Sequence, residues 1–216
     1  MTKLNHPSVT SRAEAVETIF TTLGELADEK NPEELPQLKY LNELILGFAS
    51  EYDKETEQDK ADKFKGDLFE VFAELYFKFV RSKNNAGVID YEPLYSGTTD
   101  INGNEVDDYG VDGVGKNYAD ELCAVQVKFR ANPLEEISYN ELSNTDTQAR
   151  RAFGVETLND NTIILFTNCS GANERALSQL KNSLYIVNID AIKSEVDGNI
   201  VFWKWCRDTV VSNVNQ

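Results

Sequence analysis

The sequence predicts an α/β protein, a mixed sheet flanked by helices and preceded by a helical extension. Three observations lead there. Residues 63–83 keep apolar residues at helical spacing for about six turns. Thr162–Thr167 and Leu184–Ile189 are short apolar runs of the kind that form strands buried on both faces. Between Cys123 and Phe129 the side chains alternate with the period of two that a strand imposes.

The 216 residues, 41% hydrophobic, suffice for one sizeable domain with an appendage. Cys123, Cys169 and Cys206 are far apart and two lie in apolar runs. They read as reduced core residues of a cytoplasmic protein, not as a zinc site or a disulfide framework. No apolar run has transmembrane length and the first residues lack a signal-peptide pattern, so no membrane partner is expected. His6 is the only histidine, which argues against histidine catalysis and His-ligated metals. The net charge of −16 is awkward for binding nucleic acid. Residues 1–62 hold 14 acidic and 6 basic residues, the rest 23 and 15, so the first segment is more acidic per residue.

In order, a helix begins at Ser11 with the capping box Ser11-x-x-Glu14 and carries Val16, Ile19, Phe20, Leu23 and Leu26. Asn31-Pro32 stops it. A second helix runs from about Pro36 with Leu38, Leu41, Leu44, Ile45 and Phe48. Residues 51–62 are almost wholly charged and read as a solvated helix or a linker. The 63–83 helix aligns Phe64, Leu68, Val71, Phe72, Leu75 and Phe79, widened by Phe69, Ala73, Tyr76 and Val80, and leaves only a narrow polar arc. Glu70 on that arc lies near the apolar border, where an acid can lean towards a metal; Glu74 competes with it, and a solvated acid is the plain alternative.

A strand over 87–95, a polar loop (96–108) and two strands bearing Asp112 and Gln126 follow. A helix then starts at the capping box Ser138-x-x-Glu141 and runs to about Phe153. Next come the 162–167 strand, a Ser170-Gly171 turn, a helix over about 173–181, the 184–189 strand and a short helix capped by Asp190. Residues 200–206 are apolar with two tryptophans and fit strand or helix equally. The domain reading is an acidic helical extension over 1–62, a core over 63–193, and a tail, 194–216, packed on that core.

The chemistry concentrates in Asp112 to Lys128. Alternation turns Cys123, Val125, Val127 and Phe129 to a core and places Gln126 beside Lys128 on the other face, within reach of Asp112. An oxygen-rich pocket with one lysine suits Mg²⁺-assisted phosphodiester hydrolysis. A solvated polar face and an Asp-Gly turn explain the same residues more blandly.

This region resembles the PD-(D/E)XK nuclease superfamily, and within it the Mrr-like restriction endonucleases. Phe69-Glu70, Gly110-Val111-Asp112-Gly113-Val114 and Val125-Gln126-Val127-Lys128 carry the resemblance, supported by Leu165 to Ser170, Asn173 to Ala176 and Leu184 to Ile192. It covers roughly residues 63–193. The resemblance implies a restriction-endonuclease-like core, ordered α-β-β-β-α-β-α-β. It implies that Asp112 binds Mg²⁺, with Mn²⁺ able to substitute, beside the Gln126 amide oxygen and the Val127 carbonyl. Lys128 would position or deprotonate the attacking water and offset phosphate charge, and Glu70 would hold a metal-bound water or a second ion. Gln126 departs from the usual Glu or Asp and lowers the site's charge by one.

Lys128 with Arg130, and Arg150 with Arg151, are the candidate DNA contacts; Gln148 also falls on that helix, and ordinary surface charge explains the arginine pair as well. The function expected is a metal-dependent DNA endonuclease in restriction, phage defence or DNA processing. Its expected partners are a second copy, or a helicase, methyltransferase or target-recognition domain. A structure-specific or exonucleolytic repair nuclease, and a catalytically silent interaction module, are the alternatives.

Overall fold

The computed structural model describes residues 11–29, 36–52, 56–80, 88–93, 111–117, 120–153 and 162–214. The Asn31-Pro32 stop, the 96–108 loop and Gly110 lie outside them. The helices are α1 (Arg12–Glu29), α2 (Gln37–Ala49), α3 (Gln58–Phe79), α4 (Tyr139–Phe153), α5 (Glu174–Gln179), α6 (Ile189–Val196) and α7 (Ile200–Val214). The strands are β1 (Ile89–Pro93), β2 (Gly113–Lys116), β3 (Leu122–Lys128), β4 (Glu136–Ile137), β5 (Ile163–Thr167), β6 (Gly171–Ala172) and β7 (Leu184–Val187). Leaving aside the two-residue strands β4 and β6, the order from α3 to β7 is the one the sequence predicts. Two compact units result, Met1–Val71 with Lys193–Gln216, and Phe72–Ile192.

In the first unit α1 starts at the expected box. Ser11 N donates to Glu14 Oε2 at 2.9 Å and Glu14 N to Ser11 Oγ at 3.3 Å. Ala15, Ile19, Phe20, Leu23 and Ala27 form its buried stripe. Pro36 offers no side-chain cap to α2. Asp197 does instead, accepting from Leu38 N at 2.9 Å, while Gly198 N donates to Gln37 Oε1 at 2.8 Å. Burial pushes the Asp197 carboxyl up, opposed by that Leu38 hydrogen bond.

The undecided 200–206 stretch is helical. Phe202, Trp203, Cys206 and Val210 are buried at helical spacing, and Trp203 Nε1 donates to Val196 O at 2.8 Å. The tail, expected to pack on the 63–193 core, shares its ion pairs with α1. Asp28 takes Lys204 at 2.6 Å and Arg207 at 2.7 Å, and a Cβ on Gly24 would come within 2.7 Å of Arg207 Cβ.

The second unit is built on a five-stranded sheet, ordered β1-β2-β3-β5-β7. β1-β2-β3 are antiparallel; β3-β5-β7 are parallel. On one side Phe166 of β5 meets Phe72, Tyr76 and Phe77 of α3, with ring centroids 5.8, 5.1 and 5.2 Å apart. On the other, Leu165 joins Ile137, Leu142, Cys169, Ala172, Ala176 and Leu180. The sheet is thus covered on both faces, and β3 and β5 are buried almost throughout. Burial pushes the Cys123 thiol up to about 12, partly offset by a hydrogen bond with Gly115.

The Ser170-Gly171 turn holds a parallel bridge, β4 to β6, that places the α4 and α5 starts side by side. Asn173 Oδ1 caps α5 through Ala176 N at 2.9 Å. Asn188, not Asp190, caps α6, accepting from Ala191 N at 3.1 Å. Asp190 lies inside its first turn.

Gly113 owes its place to a close approach. A Cβ there would enter the ring of Tyr91, itself buried and stacked on Phe77. Gly113→Ala is therefore expected to cost about 1–3 kcal/mol through overpacking, read as a fall in urea midpoint. An unchanged midpoint would show that Tyr91 can move aside freely.

Candidate functional site

Asp112 stands just before β2. Its N–H donates to Val125 O at 2.9 Å, and Gly113 pairs with Val125, so the side chain of Asp112 reaches β3 beside Gln126. One carboxylate oxygen, Oδ2, accepts from Val127 N at 2.5 Å and from Gln126 Nε2. Gln126 is 2% exposed and its Oε1 accepts from the Thr145 hydroxyl at 2.7 Å. Both ends of this buried amide are therefore satisfied, which is what allows an amide in a sheet centre.

The face expected to carry a polar pocket is roofed by α4. Ala124 packs with Val111, Val114 and Ala149, and Thr145 lies over Gln126. Gln126, expected to offer its amide oxygen, presents N–H to Asp112 instead. A carboxylate attracts a donor and repels a carbonyl oxygen, and Thr145 supplies a donor for the other end.

Lys128 ends β3 on the same face as Gln126, half-buried and without an ion pair among the described residues. Side chains of the neighbouring strand end hold the backbone around it. The Thr167 hydroxyl donates to Lys128 O at 2.7 Å. Asn168 accepts from Arg130 N at 2.7 Å and donates to Arg130 O at 2.9 Å. Thr167 and Asn168 are both fully buried, so this clasp fixes the rim on which Lys128 sits.

Glu70 is half-buried on α3 and belongs to the first unit, one residue before its boundary at Val71. Glu74, its competitor, pairs with Lys78. Among the described residues no three His, Cys, Asp or Glu side chains cluster as metal ligands. A cation here would rest on the Asp112 carboxylate, the Gln126 amide oxygen and the Val127 carbonyl. That all-oxygen set with one carboxylate fits Mg²⁺, which keeps several waters, once the amide presents its oxygen.

Two of the candidate DNA contacts, Arg130 and Arg150, are already engaged. Arg130 pairs with Glu141 and lies 3.7 Å from Glu135. Arg150 pairs with Asp146 at 2.9 Å, and the side chain of Arg151 lies outside the described residues. Glu141 is doubly used. Its Oε2 accepts from Ser138 N at 2.9 Å and the Ser138 hydroxyl at 2.8 Å, so only half of the expected reciprocal box forms. Burial raises the Glu141 carboxyl, but the Ser138 hydrogen bonds and the Arg130 charge outweigh it and hold the group below its ordinary range. Gln148 keeps its Oε1 buried without a hydrogen-bond partner among the described residues.

Sequence reasoning missed Thr145. Its signal was available: Leu142, Thr145 and Ala149 share the inward face of α4, so a hydroxyl interrupts an apolar stripe. Thr167 and Asn168 were noted as a motif, without the clasp they make.

No family model matches this chain, and no curated protein matches it. Among solved structures the chain is similar to the DNA modification-dependent restriction endonuclease AspBHI, with a TM-score of 0.41 and 11% identity over 97% of its length. It spans 45% of that protein's chain.

Proposed function

We propose that this chain is a Mg²⁺-dependent deoxyribonuclease of the Mrr-like PD-(D/E)XK type, acting as an endonuclease in a reducing, cytoplasmic setting. The observation that carries this reading is the meeting of Asp112 with Gln126 and Val127 across β2 and β3, with Lys128 two residues further on the same face. In it Asp112, the Gln126 oxygen and the Val127 carbonyl would hold the cation, for which Mn²⁺ would substitute. A cation held there would supply Lewis-acid polarisation of the phosphodiester and offset part of its charge. Lys128 orients the attacking water by hydrogen bonding and offsets the charge that builds on the phosphate.

A silent interaction module is the second reading, and the Gln126 N–H on Asp112 favours it. Supercoiled plasmid separates the readings. Relaxation or linearisation with Mg²⁺ and not with EDTA supports the endonuclease. Degradation of linear DNA alone supports an end-dependent exonuclease. No cleavage of either substrate supports the silent module.

Weak DNA binding by the isolated chain is a further expectation. Arg130 and Arg150 are paired with acids, and the net charge is −16. Each phosphate neutralised contributes roughly −0.9 to the slope of log affinity against log salt. With two of the candidate contacts paired among the described residues, a shallow slope is expected between about 50 and 200 mM salt, and hence a need for a second copy, or a helicase, methyltransferase or target-recognition domain. Steep, nanomolar binding by the monomer would contradict this.

A further inference from the structure

We infer that the Gln126 carboxamide is a two-position element which turns over when a divalent cation binds at Asp112, with Thr145 as the partner that serves both positions. The inference rests on the reading of Asp112 and Gln126 as cation ligands, and adds to it a positioning residue and a conformational step.

In the position observed, Gln126 Nε2 donates to Asp112 Oδ2 and Gln126 Oε1 accepts from Thr145 Oγ1 at 2.7 Å. The amide N–H thus stands where positive charge would stand, and Val127 N adds a second donor to the same oxygen at 2.5 Å. A ligand to a hard cation must be the amide oxygen. Rotation by half a turn delivers it, and sends Nε2 to Thr145.

Most buried neighbours would oppose that rotation, because an amide oxygen needs a donor and an amide nitrogen needs an acceptor. A hydroxyl is both. Thr145 lies within α4, where a threonine hydroxyl can donate to the carbonyl four residues earlier, that of Glu141, while accepting from the amide. Gln126 at 2% exposure and Thr145 at 0% have no solvent to turn to, so the exchange of roles between these two side chains keeps both satisfied. A valine of the same shape could serve neither position.

The test is nuclear magnetic resonance on the ¹⁵N-labelled full chain, with the Gln126 side-chain signals assigned by their loss in Gln126→Glu. Without divalent cation, the Gln126 ε protons are expected to show contacts to the Val127 amide proton, since both groups donate to one oxygen. At saturating Mg²⁺ those contacts are expected to vanish, with contacts to the Thr145 β and methyl protons taking their place. Thr145→Ser, which keeps the hydroxyl, should repeat the exchange at its β protons. Retention of the Val127 contact while Mg²⁺ binds in an Asp112-dependent way overturns the inference and leaves the cation site standing. Absence of any Mg²⁺ binding that Asp112→Asn removes overturns both.

Discussion

Asp112→Asn is expected to lower Mg²⁺-dependent cleavage by about a thousandfold or more, because several kcal/mol of charge stabilisation would depend on the cation that this carboxylate is proposed to hold. The substitution also has a structural cost. Asp112 Oδ2 accepts from both Val127 N and Gln126 Nε2, tying the start of β2 to the middle of β3. An asparagine whose carbonyl oxygen takes the Oδ2 place keeps both hydrogen bonds but loses the charge that strengthens them, a loss of roughly 1–3 kcal/mol. The rate comparison therefore belongs well below the melting temperature of both proteins, with the folded fraction checked by circular dichroism. Cleavage within threefold of wild type under those conditions would remove Asp112 from the chemistry.

Gln126→Glu is expected to act in opposite directions on the metal-free and metal-bound protein. The variant loses the Nε2 donor and sets a second carboxylate against Asp112 in a site 2% exposed at Gln126. Two buried carboxylates repel, and one of them takes a raised pKa. A raised folded-state value means that the folded protein holds the proton more tightly. The destabilisation is thus present at neutral pH and is relieved as pH falls through that raised value towards about 4.3, the ordinary glutamate value. Adding Mn²⁺ should reverse it, since the added charge strengthens cation binding. Thermal melts at pH 5 and 8, with and without Mn²⁺, read all three effects. A variant as stable as wild type at pH 8 without metal would show that residue 126 does not face Asp112.

The parts of this structure that were legible in the sequence are those governed by local periodicity. The α3 stripe, the alternation of β3, the apolar run that opens β5 and the Ser11-Glu14 box each lie within the length of one element. Phe77 escaped the stripe because the second half of α3, from Leu68 to Phe77, has no exposed residue and packs it on Tyr91 and Phe166. The tail was ambiguous because the apolar pair Phe202-Trp203 hides a period that only Cys206 and Val210 complete. Two-residue strands such as β4 and β6 have no period to read. In the site, Asp112, Gln126 and Lys128 were visible as residue types at strand spacing. The direction of the Gln126 amide was not, since it is set by Thr145, 19 residues away. Nor was the engagement of Arg130, which depends on Glu141 across a loop and the turn that opens α4.

Calorimetric titration of Mn²⁺ into the full chain and into Asp112→Asn tests the central claim most directly. The account predicts Asp112-dependent binding in the wild type that disappears in the variant. Equal binding by both proteins, or none by the wild type, would contradict it.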